Sequence, residues 1–346
     1  MRKLVFLMLI LFMIALPVQA GELEAPRVPE NARENMPEDP GNLLGSFSEL
    51  FYKAAGKLRP DLQEACRVSL SAIAAVMLVS AVSSIEAPVA RMSDLAGTAA
   101  VCLGLLKASH ALITLGAETV ISLSQYGKLL LPVMSGALAA QGGISSSAAL
   151  YAGTAGFSAL LSSLISRVLI PLTYLFLVFS LCSSALGQQQ FQKLRDLVKS
   201  LISWCLKTTL SVFLAYMGLT GVISGTADAA AVKATRTAVS AAVPVVGSIL
   251  SGASETMLVS IGMLKNAAGI YGIFAVIAIF LDPFLKILLH YWVLKLTGAV
   301  CSIFGNGRVS SLVGDFGTAM GLLLAMTGTA CLLILIAAVC FMKGVG

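Results

Sequence analysis

An all-α, polytopic membrane fold is what this chain predicts, and three observations predict it. Hydrophobic residues make up 58% of the 346 and charged ones only 12%, with a mean hydropathy of +0.92. A soluble domain is nearer a quarter charged, and no core absorbs this much apolar surface, so lipid has to be the solvent. The second observation is a series of apolar runs long enough to cross a bilayer as helices. The third is an export signal. Arg2 and Lys3 precede the apolar run Leu4–Leu16, and Val18-Gln19-Ala20 offers small residues where a signal peptidase cuts. Residues 1–20 therefore read as a cleavable signal peptide, which puts the mature N-terminus outside the cytoplasm.

Residues 21–61 follow as an extracytoplasmic leader. Eight of the 17 acidic residues lie between Glu22 and Asp61, together with Pro26, Pro29, Pro37 and Pro40. Such composition favours a solvated, disordered segment. Within it, Leu43, Leu44, Phe47, Leu50 and Phe51 fall on one side of an amphipathic helix, with Lys53, Lys57 and Arg59 beyond. Two readings stand: a helix lying on the membrane surface, or a linker helix.

Residues 62–346 read as the polytopic domain. Its apolar runs are Val68–Ser84, Ala96–Leu115, Ala148–Leu186, Leu201–Ser224, Gly269–Leu281, Phe284–Phe304 and Thr318–Met342. Ala148–Leu186 is long enough for two spans, with a break near Arg167 and Pro171. Leu129–Ala140 and Ala241–Leu258 are rich in small residues and read either as buried spans or as re-entrant hairpins. The expected count is seven to ten membrane segments. The basic loop Gln188–Ser200 should face the cytoplasm, which requires Leu129–Ala140 to be a true span. Pro132 and Pro171 are 39 residues apart, as are Pro244 and Pro283. That spacing is either chance or an internal duplication with halves 128–224 and 240–342, the arrangement of repeat-built transporters.

The cysteines Cys66, Cys102, Cys182, Cys205, Cys301, Cys331 and Cys340 sit mostly in apolar runs and form no C-x-x-C pair. They read as small hydrophobes, so no metal and no cofactor is expected. The basic excess is scattered, which favours anionic headgroups of the lipid bilayer over nucleic acid as neighbours. No hydrolase elbow, phosphate-binding loop or zincin motif is found, so the chain does not read as an enzyme.

Ionisable residues at membrane depth are the stronger lead, because each costs at least ~2.5 kcal/mol at mid-bilayer. Asp282, Lys286 and His290 recur every four residues on one face, provided the helix continues through Pro283. Lys107 and His110 share a face on another span. These five are candidates for a polar path or a partner contact. The plainer reading has Asp282 neutralising Lys286, His290 beside Tyr291 and Trp292 at an interface, and Lys207 snorkelling. Lys193, Arg195 and Lys199, with Asp228, Lys233 and Arg236, are candidates for a docking surface.

Asp228, Lys233 and Arg236 open the most distinctive stretch, which continues through Pro244-Val245-Val246-Gly247 to Lys265-Asn266-Ala267. With Pro283-Phe284-Leu285-Lys286-Ile287 and Asp315-Phe316-Gly317, this stretch resembles the stage III sporulation protein AE family of endospore-forming bacteria. The resemblance runs from about Val68 to the C-terminus and is strongest after Gly221, whereas the leader carries no family motif. It implies an integral component of the channel complex between mother cell and forespore, in the outer forespore membrane, needed for late forespore gene expression. Its implied partners are products of the same operon, a cytosolic ATPase and ring-forming intermembrane-space proteins, and a forespore-side channel protein. The family assigns no catalytic residues. A stand-alone secondary transporter and a non-conducting assembly platform are the competing readings.

Overall fold

Leucine and alanine dominate the apolar runs, and in a bilayer such runs have to satisfy every backbone group internally. The computed structural model describes residues 28–34, 36, 43–83, 87–242, 247–303 and 307–343, with side chains except at 30, 31, 43, 44, 82–95 and 221–265. Among the described residues it holds helices and turns but no strand. The expected signal peptide lies outside them, as does the Pro244 segment.

Two short helices, α1 (Glu30–Arg33) and α2 (Leu43–Gly56), precede the bundle and pack on its flank. Six long elements follow. They are α3 (Arg59–Ser83), α4 (Ala87–Ala140), the rod α5 (Ile144–Leu164) to α6 (Ile170–Leu186), α7 (Gln189–Ala242), α8 (Gly247–Ile303) and α9 (Gly307–Lys343). Each contains a stretch long and apolar enough to cross a membrane: Arg59–Ala81, Ala96–Ala140, Ile144–Leu186, Gln189–Thr220, Asn266–Ile303 and Gly307–Lys343.

Six candidate spans are found among the described residues, against seven to ten segments expected: apolar runs fuse, and the expected segment Ala241–Leu258 lies where side chains are not described. Ala96–Leu115 and Leu129–Ala140 belong to one helix, so Leu129–Ala140 is not a re-entrant hairpin. The intervening 116–128 contains polar residues but no helix-breaking turn. The break expected near Arg167 is a π turn, Ile165–Leu169, inside one continuous rod, with Pro171 placed just after it where its missing N–H costs least. Gly269–Leu281 and Phe284–Phe304 likewise join through Pro283. The expected basic loop Gln188–Ser200 is helical from Gln189 onward.

The centre of the bundle is α9, whose Phe316, Met320, Leu323, Ile334 and Phe341 are buried against α4, α8 and the helices around them. The α8–α9 pair approaches closely where Gly298 meets Gly314: a Cβ on Gly298 would stand 3.2 Å from the Gly314 nitrogen. Gly187 ends α6 in the left-handed conformation (φ 67°), and its N–H donates to the Ser183 carbonyl at 2.9 Å. That turn returns the chain as α7. On α2, Leu50 and Ala54 are fully buried while Phe47, Phe51 and Tyr52 face outward.

Candidate functional site

Pro283 lies in the interior of α8, not in its first turn, and the helix runs through it. Asp282, Lys286 and His290 therefore do share a face. Facing them is the first turn of α3, which brings in Asp61. The Lys286 ammonium sits 3.6 Å from Asp61 Oδ2 and 3.9 Å from Asp282 Oδ2, with all three side chains half-buried. Both distances exceed a hydrogen bond, so the contact is Coulombic. Asp61 Oδ2 and Asp282 Oδ1 are buried atoms that receive no hydrogen bond. Two carboxylates share one ammonium, leaving an unbalanced negative charge at the α3–α8 seam.

One turn further, His290 is 7% exposed, and its Nδ1 lies 2.9 Å from the Lys286 carbonyl. A carbonyl only accepts, so Nδ1 carries the proton and donates, which leaves Nε2 as an acceptor in the neutral ring. The ring lines a cavity of about 10 Å³ with Ser69, Ser109, Leu105 and Leu294, room for about one water. Ser69 Oγ, also buried, has no hydrogen-bond partner.

Lys107 and His110 are not brought to this seam. Lys107 is exposed and lines an open groove of about 490 Å³ with Gln63, Glu64 and Arg67 of α3. His110 reaches α6 instead, its Nδ1 2.6 Å from the Tyr174 hydroxyl.

A second polar cluster joins four helices at one end of the bundle. Arg195 Nη1 donates to Asp315 Oδ2 at 2.7 Å, and Ser180 Oγ donates to the same oxygen at 2.5 Å. Arg195 Nε donates to Asp196 at 3.0 Å. Alongside, Lys295 donates to the Gly314 carbonyl at 3.0 Å and to Thr318 Oγ1 at 2.8 Å. Arg195 is thus taken up inside the bundle, while Lys193 and Lys199 stay exposed. The side chains of Asp228, Lys233 and Arg236, on the later part of α7, lie outside the described residues.

Asp61 and Asp315 are the site residues that sequence reasoning passed over. In sequence Asp61 reads as the end of the acidic leader, although it stands two residues into α3. Asp315 carried a signal: it is the last acidic residue of the chain, alone in a long apolar stretch. Among the described residues no group of three or more His, Cys, Asp or Glu side chains is placed to hold a metal.

The model of a family described as Stage III sporulation protein AE matches residues 45–344. A curated protein, the Stage III sporulation protein AE of Bacillus subtilis (strain 168), is 24% identical over 204 residues, 59% of this chain and 51% of that protein. The chain thus spans about half the length of the curated relative it matches. No solved structure matches.

Proposed function

The chain belongs to the stage III sporulation protein AE family, and on that premise we propose that it is an integral membrane component of the sporulation complex linking mother cell and forespore. Its place is the outer forespore membrane, its mature N-terminus lies outside the mother-cell cytoplasm, and late forespore gene expression depends on it. The partners are the cytosolic ATPase and ring-forming proteins of the same operon and a forespore-side channel protein. Six apolar helices support the multi-pass placement.

Within that reading, a conducting role is favoured over a platform by one observation. The Asp61–Lys286–Asp282 group holds buried carboxylate oxygens without donors, and one turn away His290 shares a water-sized cavity with an unpartnered hydroxyl. Purely structural groups at membrane depth are normally satisfied completely. The platform reading keeps support from Lys193 and Lys199, which remain exposed beside the Arg195 cluster. A stand-alone transporter would need substrate flux from this chain alone in liposomes.

The test is deletion in a sporulating host, with a fluorescent reporter of late forespore transcription. Loss of late expression after normal engulfment, rescued by the wild-type chain, supports the assignment. Normal late expression without the chain overturns it. Failure of Lys286→Ala to rescue at wild-type protein level separates conduction from scaffolding.

A further inference from the structure

Glu118 stands at the midpoint of the span Ala96–Ala140, and Arg167 and Lys207 lie near the midpoints of Ile144–Leu186 and Gln189–Thr220. Asp282 and Lys286 flank the midpoint of Asn266–Ile303. These positions share one height in the bundle. Gly116, half a turn from Glu118, faces Ile287 and Thr327. The contacts His110–Tyr174 and Ser124–Ser158 bracket Glu118 and set it level with the π turn that holds Arg167. Arg195 is level with Ser180 through their shared Asp315, and Tyr216 bonds the Ala149 carbonyl. Lys207, between Arg195 and Tyr216, therefore meets the same height.

Asp282 and Lys286 are engaged inward with Asp61, but the other three have no such partner. Glu118, Arg167 and Lys207 are exposed on the outside of the bundle and have no hydrogen bond or ion pair among the described residues. The Glu118 face is unlike a lipid-facing one in other respects. Lys107, Thr114, Glu118 and Gln125 fall within about 40° of one another, by the 100° step per residue of an α-helix, and all four are exposed. Hydrocarbon satisfies none of these groups.

We propose that copies of this chain associate side by side in the membrane through this belt, with Glu118 of one copy against Arg167 and Lys207 of the next. Two arguments select a second copy. A copy inserted in the same direction carries its own belt at the same depth, so the charges meet without vertical adjustment. The two sets are also of opposite sign and lie on different helices, α4 on one side and the α5–α6 rod and α7 on the other. A contact between different patches is head-to-tail, and it closes into a ring when the rotation between copies permits. This inference rests only on the membrane-spanning reading, not on what the complex conducts.

The experiment uses two full-length chains with different tags, co-expressed in one membrane and captured through one tag in mild detergent. Wild-type copies should capture each other. Glu118→Arg in both copies, or Arg167→Glu with Lys207→Glu in both copies, should reduce capture about tenfold or more. Pairing a Glu118→Arg chain with an Arg167→Glu/Lys207→Glu chain should restore it, and that recovery also shows that both variants fold. Wild-type chains that do not capture each other, capture insensitive to either reversal, or losses that the mixed pair fails to repair would each overturn the proposal. A belt facing water or lipid headgroups gives the first of these results, and a different protein on the belt gives the first or the third.

Discussion

Arg195 on α7 and Asp315 on α9, 120 residues apart in sequence, meet at 2.7 Å and draw in Ser180 from α6. Both side chains keep only about 15% exposure. Removing one partner of such a pair strands the other charge, which costs more than the pair itself contributes. Asp315→Ala is therefore expected to destabilise the protein by ~3 kcal/mol. The double change Arg195→Met with Asp315→Leu should cost much less than the sum of the single changes. Thermal unfolding in detergent, run as a double-mutant cycle, reads the difference.

Lys286 is the counter-ion of two carboxylates. Lys286→Met should lower stability by about 2 kcal/mol, less than for a fully buried pair because water still reaches the group. Adding Asp61→Asn to Lys286→Met should recover part of that loss, since one of the stranded charges is removed. The recovery should appear in the unfolding midpoint, and no recovery would mean that Asp61 and Lys286 are not coupled.

Gly187 has φ of 67°, and a Cβ there would come within 2.9 Å of the Arg308 guanidinium. Gly187→Ala should cost ~1–2 kcal/mol from backbone strain alone. Combining it with Arg308→Ala relieves the contact but leaves the strain, so the pair should remain less stable than Arg308→Ala by itself.

Phe47, Phe51 and Tyr52 of α2 point away from the bundle, while Leu50 and Ala54 fasten the helix to it. Phe47→Ser with Phe51→Ser should leave thermal stability within about 0.5 kcal/mol. If α2 lies at the bilayer surface, a fluorophore at Tyr52 should lose its quenching by interfacial lipid quenchers when both phenylalanines are replaced. If α2 is a linker helix, that quenching is absent in the wild type as well.

The helical fold and the shared face of Asp282, Lys286 and His290 were legible because they depend on composition and on a period of four residues. The partner of that face was not. Asp61 comes from a helix more than two hundred residues earlier, and only tertiary packing makes the start of α3 meet the middle of α8. Among the described residues the spans number fewer than the apolar runs for a related reason. Apolar runs show where lipid contact is favourable, but a helix ends only at a breaker or a turn, and 116–128 supplies neither. Arg195 reads as surface charge because it stands in sequence between Lys193 and Lys199, and only the packing of α9 against α7 brings it Asp315.

The fused helices set a length that lipid does not match. At 1.5 Å per residue, the 45-residue span Ala96–Ala140 is about 68 Å long, against a hydrocarbon core of about 30 Å. Centred in a bilayer, it would project nearly 20 Å beyond either face. The chain places bare hydrocarbon at the rod ends too, with Ile144, Leu186 and Ile303 all open to the surroundings. Those collars lie beyond the hydrocarbon, where covering them with polypeptide is favoured over leaving them in water. Left uncovered, they are the parts of the chain most open to chaperones, proteases and aggregation.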